Sequence, residues 1–495
     1  MKKYPIPRFS TEVHGVEVYT DPKAAVDALS RIYDASVQKL RHAVSLFTSG
    51  DTTLQHPPAA TYPFLGCQLE QGTACALDPG QSFGTVDQDG VYETTITHPA
   101  LFKDYLLEQM TYLHRTYSAP FFVGASDVLI PLSFVLDGTS FSMDEETDRR
   151  LKMNFRFPDL ECIDDKIVNH TYQPATTNQT FPLSLFTAER VDFSLLRLKH
   201  YTGTAASHFQ KFILLTNYQR YVREFISYGL EQVSQGHYAR FTMPGGMSYS
   251  AESMGDASQV RLDHTALVQM PAYHLEREDG SGVTMINIGV GPTNAKTITD
   301  HLAVLRPHCW IMLGHCAGLR SEQRLGDYVL AHGYVREDRV LDQDLPLWVP
   351  VPAIAEIQVA LQKAVAQVTG LEGAGLKTRL RTGTVFTTDN RNWELRAHDL
   401  FEQLNQSRSI AVDLESATIA ANGLRFRVPY GTLLCVSDKP IHGDIKLPGM
   451  ANAFYESQVA QHLRVGLTTL EIIRQGGIDS LHSRKLRGFN EPPFR

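Results

Sequence analysis

The sequence predicts an α/β protein preceded by a smaller α+β segment, on three observations. Its 495 residues exceed the length at which one hydrophobic core stops growing, so two domains are expected. Through the second half, short apolar runs alternate with helical patterns, as in sheets whose strands are covered by helices. The first half instead mixes a long amphipathic pattern with β-prone pieces rich in Pro, Gly and Thr.

Val26, Leu29, Ile32, Tyr33, Val37, Leu40, Val44 and Phe47 recur at three- and four-residue steps, which predicts a helix over 21–49. β-prone pieces such as VYETTITHP follow between 51 and 100, and ALFKDYLLEQMTYLHRTY (100–117) returns to helical spacing. Residues 163–185 are polar, Pro-bearing and aperiodic. They predict a linker, with a boundary near 175–185 and domains at 1–178 and 179–495. Beyond it, FILLT (212–216) precedes a helix, TMINIGV (284–290) precedes NAKTITDHLAVL, and CWIMLG (309–314) reads as a strand. SIAVDL (409–414) then leads into a helix, and YGTLLCVS (430–437) follows it. In such a sheet the loops at one edge gather into one site.

Hydrophobic content of 43% and charged content of 20% place the chain with soluble globular proteins. A net charge of -8 argues against a broad nucleic-acid surface, which clusters Lys and Arg. No apolar run approaches the ~20 residues that span a bilayer, and MKKYPIPRFSTEVHG lacks the apolar stretch of a secretory signal, so a cytoplasmic protein is expected. The six cysteines, Cys67, Cys75, Cys162, Cys309, Cys316 and Cys435, form no CxxC pair and are expected to be reduced and buried.

In INIGVGPTNAKT, Gly289 and Gly291 occupy a strand-to-helix turn, where backbone N–H groups can approach an anion. The third glycine of the dinucleotide fingerprint and the Lys-Ser/Thr of a P-loop are missing, so a plain tight turn is the leading reading. Gly314 and Gly318 bracket His315 and Cys316 in LGHCAGLR. His308-Cys309 and His315-Cys316 offer zinc-type ligands without zinc-type spacing, so no metal site is expected. HExxH, GxSxG and GxxxxGK[ST] do not occur, which removes support from peptidase, serine hydrolase and P-loop readings. Asp413 and Glu415, where a strand gives way to a helix, suit helix capping, and Asp438 suits a turn. Considered together, acids ending two consecutive strand-like runs separated by one helix are expected to lie close at one sheet edge.

The stretch VDLESATIAANGLRFRVPYGTLLCVSDKP resembles the strand–helix–strand signature of the nucleoside phosphorylase and nucleosidase superfamily. VDFSLLRLKHYTGT (191–204), NIGVGPTNAKTITDHLAVLRP (287–307), GHCAGLR (314–320), TTDNRNWELR (387–396), SDKPIHGDIKLPG (437–449) and HSRKLRGFNEPPFR (482–495) narrow the resemblance to the AMP nucleosidase family, along essentially the whole chain. That resemblance implies a phosphorylase-like catalytic domain with a central mixed sheet flanked by helices, and a regulatory α+β N-terminal domain. It implies a homohexamer that hydrolyses the N-glycosidic bond of AMP to adenine and D-ribose 5-phosphate, in purine salvage. No cofactor is implied for the chemistry; MgATP is implied as an activator and phosphate as an inhibitor.

By the same resemblance Asp438 is the general acid that protonates purine N7, with a pKa expected to be raised by burial. Glu415 is the ionised acceptor for the ribose 2′ and 3′ hydroxyls. Asp413, Leu414 and Ser437 sit beside sugar and base; Leu414 replaces the family's Met, a volume-conserving swap. Arg220 falls where the family's phosphorylases bind phosphate, and either holds the 5′-phosphate of the substrate or forms a surface ion pair. Gly291, Gly314 and His315 belong to the same substrate-binding set. A second phosphate-binding arginine is replaced by Met312, which suits water as the nucleophile. The purine-stacking aromatic aligns with Arg391, and Trp393 lies two residues on; either side chain can cover a base. The competing readings are an enzyme for unphosphorylated nucleosides and a nucleotide sensor without turnover.

Overall fold

The computed structural model describes residues 4–49, 59–70, 72, 81–136, 145–173, 180–253, 268–445, 451–481 and 486–495. Two compact units result, Met1–Leu196 with Arg487–Arg495, and Arg197–Leu486.

In the first unit, β1 (Val13–Tyr19) leads into α1 (Pro22–Thr48). The helix starts where Asp21 accepts hydrogen bonds from the backbone N–H groups of Lys23 and Ala24, both 3.2 Å, with Pro22 in the first turn. Then come β2 (Thr61–Leu69), β3 (Gly90–Thr95), α2 (Lys103–Tyr117), β4 (Phe121–Leu129), α3 (Glu145–Asn154) and β5 (Thr180–Pro182). The sheet order is β1-β4-β2-β3-β5, antiparallel except for the parallel β3–β5 pair. Alternate residues Leu65, Cys67 and Leu69 of β2 and Phe121 and Val123 of β4 meet Val26 and Leu29 of α1 and Leu106, Met110 and Leu113 of α2 in one core. The period of two on the strands and of three to four on the helices makes one apolar layer of both.

The expected boundary at 178/179 lies outside the described residues, as do residues 174–177 of the expected linker. The linker's C-terminal part is not a linker: β5 completes the sheet and Leu183 is fully buried in the core. The unit runs on to Leu196, inside α4 (Ala188–Thr202), whose last turns belong to the second unit. The chain's C-terminal residues also return to it. Phe494 is buried in the same core, its N–H donates to Leu183 O at 3.2 Å, and the Arg487 guanidinium donates to Ser82 O and Thr85 Oγ1 at 2.8 and 2.6 Å. Local periodicity carries no trace of contacts some 400 residues apart in sequence.

The second unit continues with β6 (Phe212–Thr216), α5 (Gln219–Ser234), β7 (Arg240–Thr242), β8 (Ser248–Tyr249), β9 (Ala272–Glu276), β10 (Val283–Asn287), α6 (Pro292–Leu302) and β11 (Cys309–Gly318). It closes with β12 (Tyr328–Glu337), α7 (Ala355–Thr369), α8 (Gly373–Arg379), β13 (Leu380–Thr388), α9 (Ala397–Gln406), β14 (Ala411–Asp413), α10 (Ser416–Arg425), β15 (Tyr430–Asp438) and α11 (Ala451–Gly476). The strand order is β14-β13-β12-β15-β11-β6-β10-β9-β7-β8. β14 also pairs with β11, which closes β11, β15, β12, β13 and β14 into a ring. Cys316, Val329, Ala331, Val385, Ala411, Leu434 and Val436, drawn from all five strands, form one apolar cluster. The sheet is mixed: β6, β10, β11 and β15 run parallel, while β9, β12 and β14 run antiparallel to β10, β15 and β11.

This topology sets how β14 and β15 neighbour each other. The two are not paired; β11 separates them, with Val412 and Asp438 facing Ala317 from opposite sides. Two strand spacings put those backbones roughly 10 Å apart. Cys67, Cys309, Cys316 and Cys435 are buried free thiols, whereas Cys162 is exposed, contrary to expectation. Cys75 lies outside the described residues, as do 446–449 and 482–485 of the motifs quoted above. Among the described residues no helix is long and apolar enough to cross a membrane.

Candidate active site

The site is built where strands give way to helices. After β10 the chain passes Gly289 and Gly291, with φ of 69° and 112°. Side chains rarely adopt either value, so glycine is required by the backbone path itself. Asn287 Oδ1 accepts from Gly289 N–H at 3.1 Å, and Pro292 opens α6. The turn thus aims Gly291 N–H outward, and it donates to Glu415 Oε1 at 2.7 Å. From the turn after β6, Asn217 Nδ2 donates to Glu415 Oε2 at 3.0 Å. One carboxylate, contributed by the start of α10, is therefore clamped by two strand-to-helix turns more than 120 residues away in sequence.

Glu415 is 1% exposed. Burial and the neighbouring Asp413 push its carboxyl above the usual carboxylate range, against the pull of its Gly291 and Asn217 donors. Asp413 is raised by burial too, yet its oxygens are saturated: Thr387 Oγ1 donates at 2.5 Å, Ser416 N–H at 2.9 Å, and the Ser416 hydroxyl also donates. Both carboxyls of this adjacent buried pair are therefore held above the ordinary carboxylate range. The Asp413 oxygens serve Thr387 and the first turn of α10. Asp413 is a cap that fixes where Glu415 points.

Asp438 ends β15 and is half-buried. Its Oδ1 accepts from Ser437 Oγ at 2.6 Å, and Ser437 Oγ also lies 3.3 Å from Cys316 O. The burial on which a raised Asp438 carboxyl was expected is partial; the fully enclosed acids are Glu415 and Asp413. Lys439 is turned aside by an ion pair to Asp444 at 3.0 Å. The Cys316 thiol, buried on β11, is pushed up by burial and by the charges of Cys435, Asp413 and Asp438. Both acidic segments therefore reach this one residue of the intervening strand.

Gly314 is adjacent to the clamp, since a Cβ there would stand 3.6 Å from Asn217 Oδ1. Asn217 Oδ1 is itself buried and meets no hydrogen-bond donor among the described residues. The His315 ring packs edge-on to Tyr218 at 4.8 Å and tilted to Tyr221 at 5.6 Å. Arg220 lies in the first turn of α5, half-buried, and Leu414 is half-buried between the two acids of its strand-to-helix turn. Met312 is fully buried in β11. Of the two base-covering candidates, only Trp393 is buried. Trp393 is 5% exposed and packed with Leu319, Phe386, Leu404 and Val412, so its ring is committed to the core, while Arg391 is exposed. Among the described residues no group of His, Cys, Asp and Glu is arranged to hold a metal ion.

Asn217 is the site residue that sequence reasoning missed. Its only local signal is position, a polar residue directly after the fully buried strand FILLT.

Two family models match the chain: Bacterial AMP nucleoside phosphorylase N-terminus over residues 24–179 and Phosphorylase superfamily over residues 261–465. The AMP nucleosidase of Escherichia coli (strain K12) is 48% identical over 480 residues, which is 96% of this chain and 98% of the relative. The 5'-methylthioadenosine/S-adenosylhomocysteine nucleosidase of Desulfotalea psychrophila (strain LSv54 / DSM 12343) is 25% identical over 187 residues, 36% of this chain and 77% of that one. A crystal structure of AMP nucleosidase from Bacteroides thetaiotaomicron VPI-5482, 30% identical, covers 58% of this chain and 98% of its own with a TM-score of 0.42. With 48% identity over 96% of this chain and 98% of the relative, and a phosphorylase-type mixed sheet carrying the two acidic segments, the chain belongs to the AMP nucleosidase family.

Proposed function

We propose that this chain hydrolyses the N-glycosidic bond of AMP, giving adenine and D-ribose 5-phosphate, with Asp438 and Glu415 as its catalytic residues. The observation that carries this reading is the clamp on Glu415, a carboxyl presented by two turns at the end of a phosphorylase-type sheet. In the proposed reaction Asp438 gives its proton to purine N7 as the C1′–N9 bond breaks, so the electron pair leaves with a neutral base. Glu415 accepts hydrogen bonds from the ribose 2′ and 3′ hydroxyls, and its negative charge offsets the positive charge that develops on the sugar. Water then adds at C1′ and releases a proton to solvent, from which the Asp438 carboxylate is reprotonated.

Arg220, in the first turn of α5, is the candidate for the 5′-phosphate, since its planar fork suits a phosphate group. Buried Met312, standing where a second phosphate-binding arginine is kept by phosphorylases, favours water over phosphate as the nucleophile. The test is adenine release from AMP and from adenosine, each with and without inorganic phosphate. Faster release from adenosine, or release that requires phosphate, would refute the reading in favour of a phosphorylase or a nucleosidase for unphosphorylated substrates. The same reading includes a cytoplasmic homohexamer activated by MgATP and inhibited by phosphate, working in purine salvage. Family membership supports it; turnover with and without MgATP, and mass by light scattering, test it.

A further inference from the structure

Gly291 and Glu415, joined by their 2.7 Å hydrogen bond, are the residues that cap the starts of α6 and α10. A second polar connection joins the same two helices further along. Asn422 of α10 is fully buried, and its Nδ2 donates to Thr299 Oγ1 and to Asp300 Oδ1 of α6, both at 2.8 Å. Gly291 and Thr299 are separated by roughly 12 Å of helix, and Glu415 and Asn422 by roughly 10 Å. The two helices therefore run side by side in the same direction, tied at both ends of one matched span.

The Asn422 amide is engaged at both of its polar atoms, since its Oδ1 accepts from Arg425 Nη1 at 2.6 Å. Around it Lys296, Asp300, Arg425 and Asp344 close a ring of alternating charge. Lys296 Nζ stands 2.7 Å from Asp300 and 3.5 Å from Asp344, and the Arg425 guanidinium stands 3.5 and 3.7 Å from the same two carboxylates. The other residues that α6 buries include Ala295, Ile298 and Leu302. Apolar contact is non-directional and lets helices slide; hydrogen bonds are directional and fix a register. None of the charges in this ring is the neighbour of Glu415, whose adjacent ionisable group is Asp413. The proposed reaction makes no use of the ring or of Asn422.

We propose that Asn422 is a positioning residue for Glu415: by fixing the register of α6 against α10 it keeps Gly291 N–H on the Glu415 carboxyl. That bond has little slack, because N–H···O hydrogen bonds span only about 2.7–3.2 Å. A slip of about 1 Å between the helices breaks it, and misplacement of that size at a reacting centre costs about 10²-fold in rate. The effect on turnover rests on the reading of Glu415 as catalytic; the effect on register does not.

Asn422→Ala and Thr299→Val test it in the full-length protein. T299V keeps the shape of the side chain and removes only the hydroxyl that accepts from Asn422, so it decides the matter if N422A does not fold. Adenine release from AMP between pH 5 and 9 is expected to show kcat lowered by about 10- to 100-fold in N422A and by about 2- to 10-fold in T299V. KM should change by less than about threefold. Gly291 pulls the raised Glu415 pKa down, so losing that donor lets it rise, and the acidic limb of kcat/KM moves to higher pH. Melts against pH give a readout without turnover. Stability is lost as pH rises through a raised folded pKa, so in both variants that loss extends to higher pH than in wild type, and in E415Q/T299V the displacement vanishes. Stability lowered equally at every pH, with kcat/KM within about twofold of wild type and an unmoved acidic limb, makes Asn422 a fold contact only and overturns the proposal. If E415Q keeps full turnover, the catalytic reading of Glu415 fails by itself, and the melts of T299V still decide the register, an unmoved alkaline loss refuting it.

Discussion

Replacing Asn217 by leucine tests whether the Glu415 clamp is functional. Leucine nearly conserves volume but deletes the Nδ2 donor that stands 3.0 Å from Glu415 Oε2. A hydrogen bond to a charged group is worth about 1.5–3 kcal/mol. At about 1.4 kcal/mol per decade, that corresponds to a fall in kcat/KM for AMP of about 10- to 150-fold. Stability should suffer less, because the substitution also removes Asn217 Oδ1, a buried acceptor that meets no donor among the described residues; a loss of about 1 kcal/mol or less is expected. The pH profile adds a second readout. Asn217 pulls the Glu415 pKa down, so its loss lets the pKa rise, and the acidic limb of kcat/KM moves to higher pH. Steady-state adenine release between pH 5 and 9, paired with thermal melts, measures both. If N217L keeps kcat/KM within about twofold of wild type with an unmoved acidic limb, the clamp has no role in turnover.

Asp438→Asn removes the proposed proton donor; kcat is expected to fall by about 10²–10⁴-fold with KM nearly unchanged, and a full-rate variant would exclude Asp438 as the acid. Glu415→Gln should abolish most turnover while raising stability at alkaline pH. The folded Glu415 pKa is raised by burial and by Asp413, so the folded state binds the proton more tightly and wild-type stability is lost as pH climbs from the ordinary carboxylate range through the raised value. Melts of E415Q against pH should lack that decline. In the first unit, Asp192 is raised to about 7 by burial despite accepting from Tyr62 Oη and Thr97 Oγ1, both at 2.7 Å. By the same sign, wild-type stability falls between about pH 4 and 7, and D192N should flatten that slope; an unchanged slope would show that Asp192 does not titrate there. Trp393→Ala should cost about 3–5 kcal/mol as a core deletion, whereas W393F keeps KM for AMP, and a large KM increase in W393F would restore the ring to the base site.

The sequence by itself determined whatever depends on neighbours along the chain. The α1 period from Val26 to Phe47, the FILLT and YGTLLCVS strands and the glycine turn before α6 are written locally, because apolar spacing and φ > 0 requirements act over a few residues. The long motifs likewise pointed to Asp438 and Glu415 as the expected catalytic acids. Tertiary structure alone decided which groups share an environment. It joined Asn217 and Gly291 to Glu415 across 198 and 124 residues of sequence and drew Phe494 back to Leu183. It inserted β11 between the two acidic segments and committed the Trp393 ring to the core. A carboxyl's charge depends on burial and on the donors within about 3 Å of it. Those neighbours come from remote parts of the chain, so the chemistry of the acids became legible only once the sheet had brought them together.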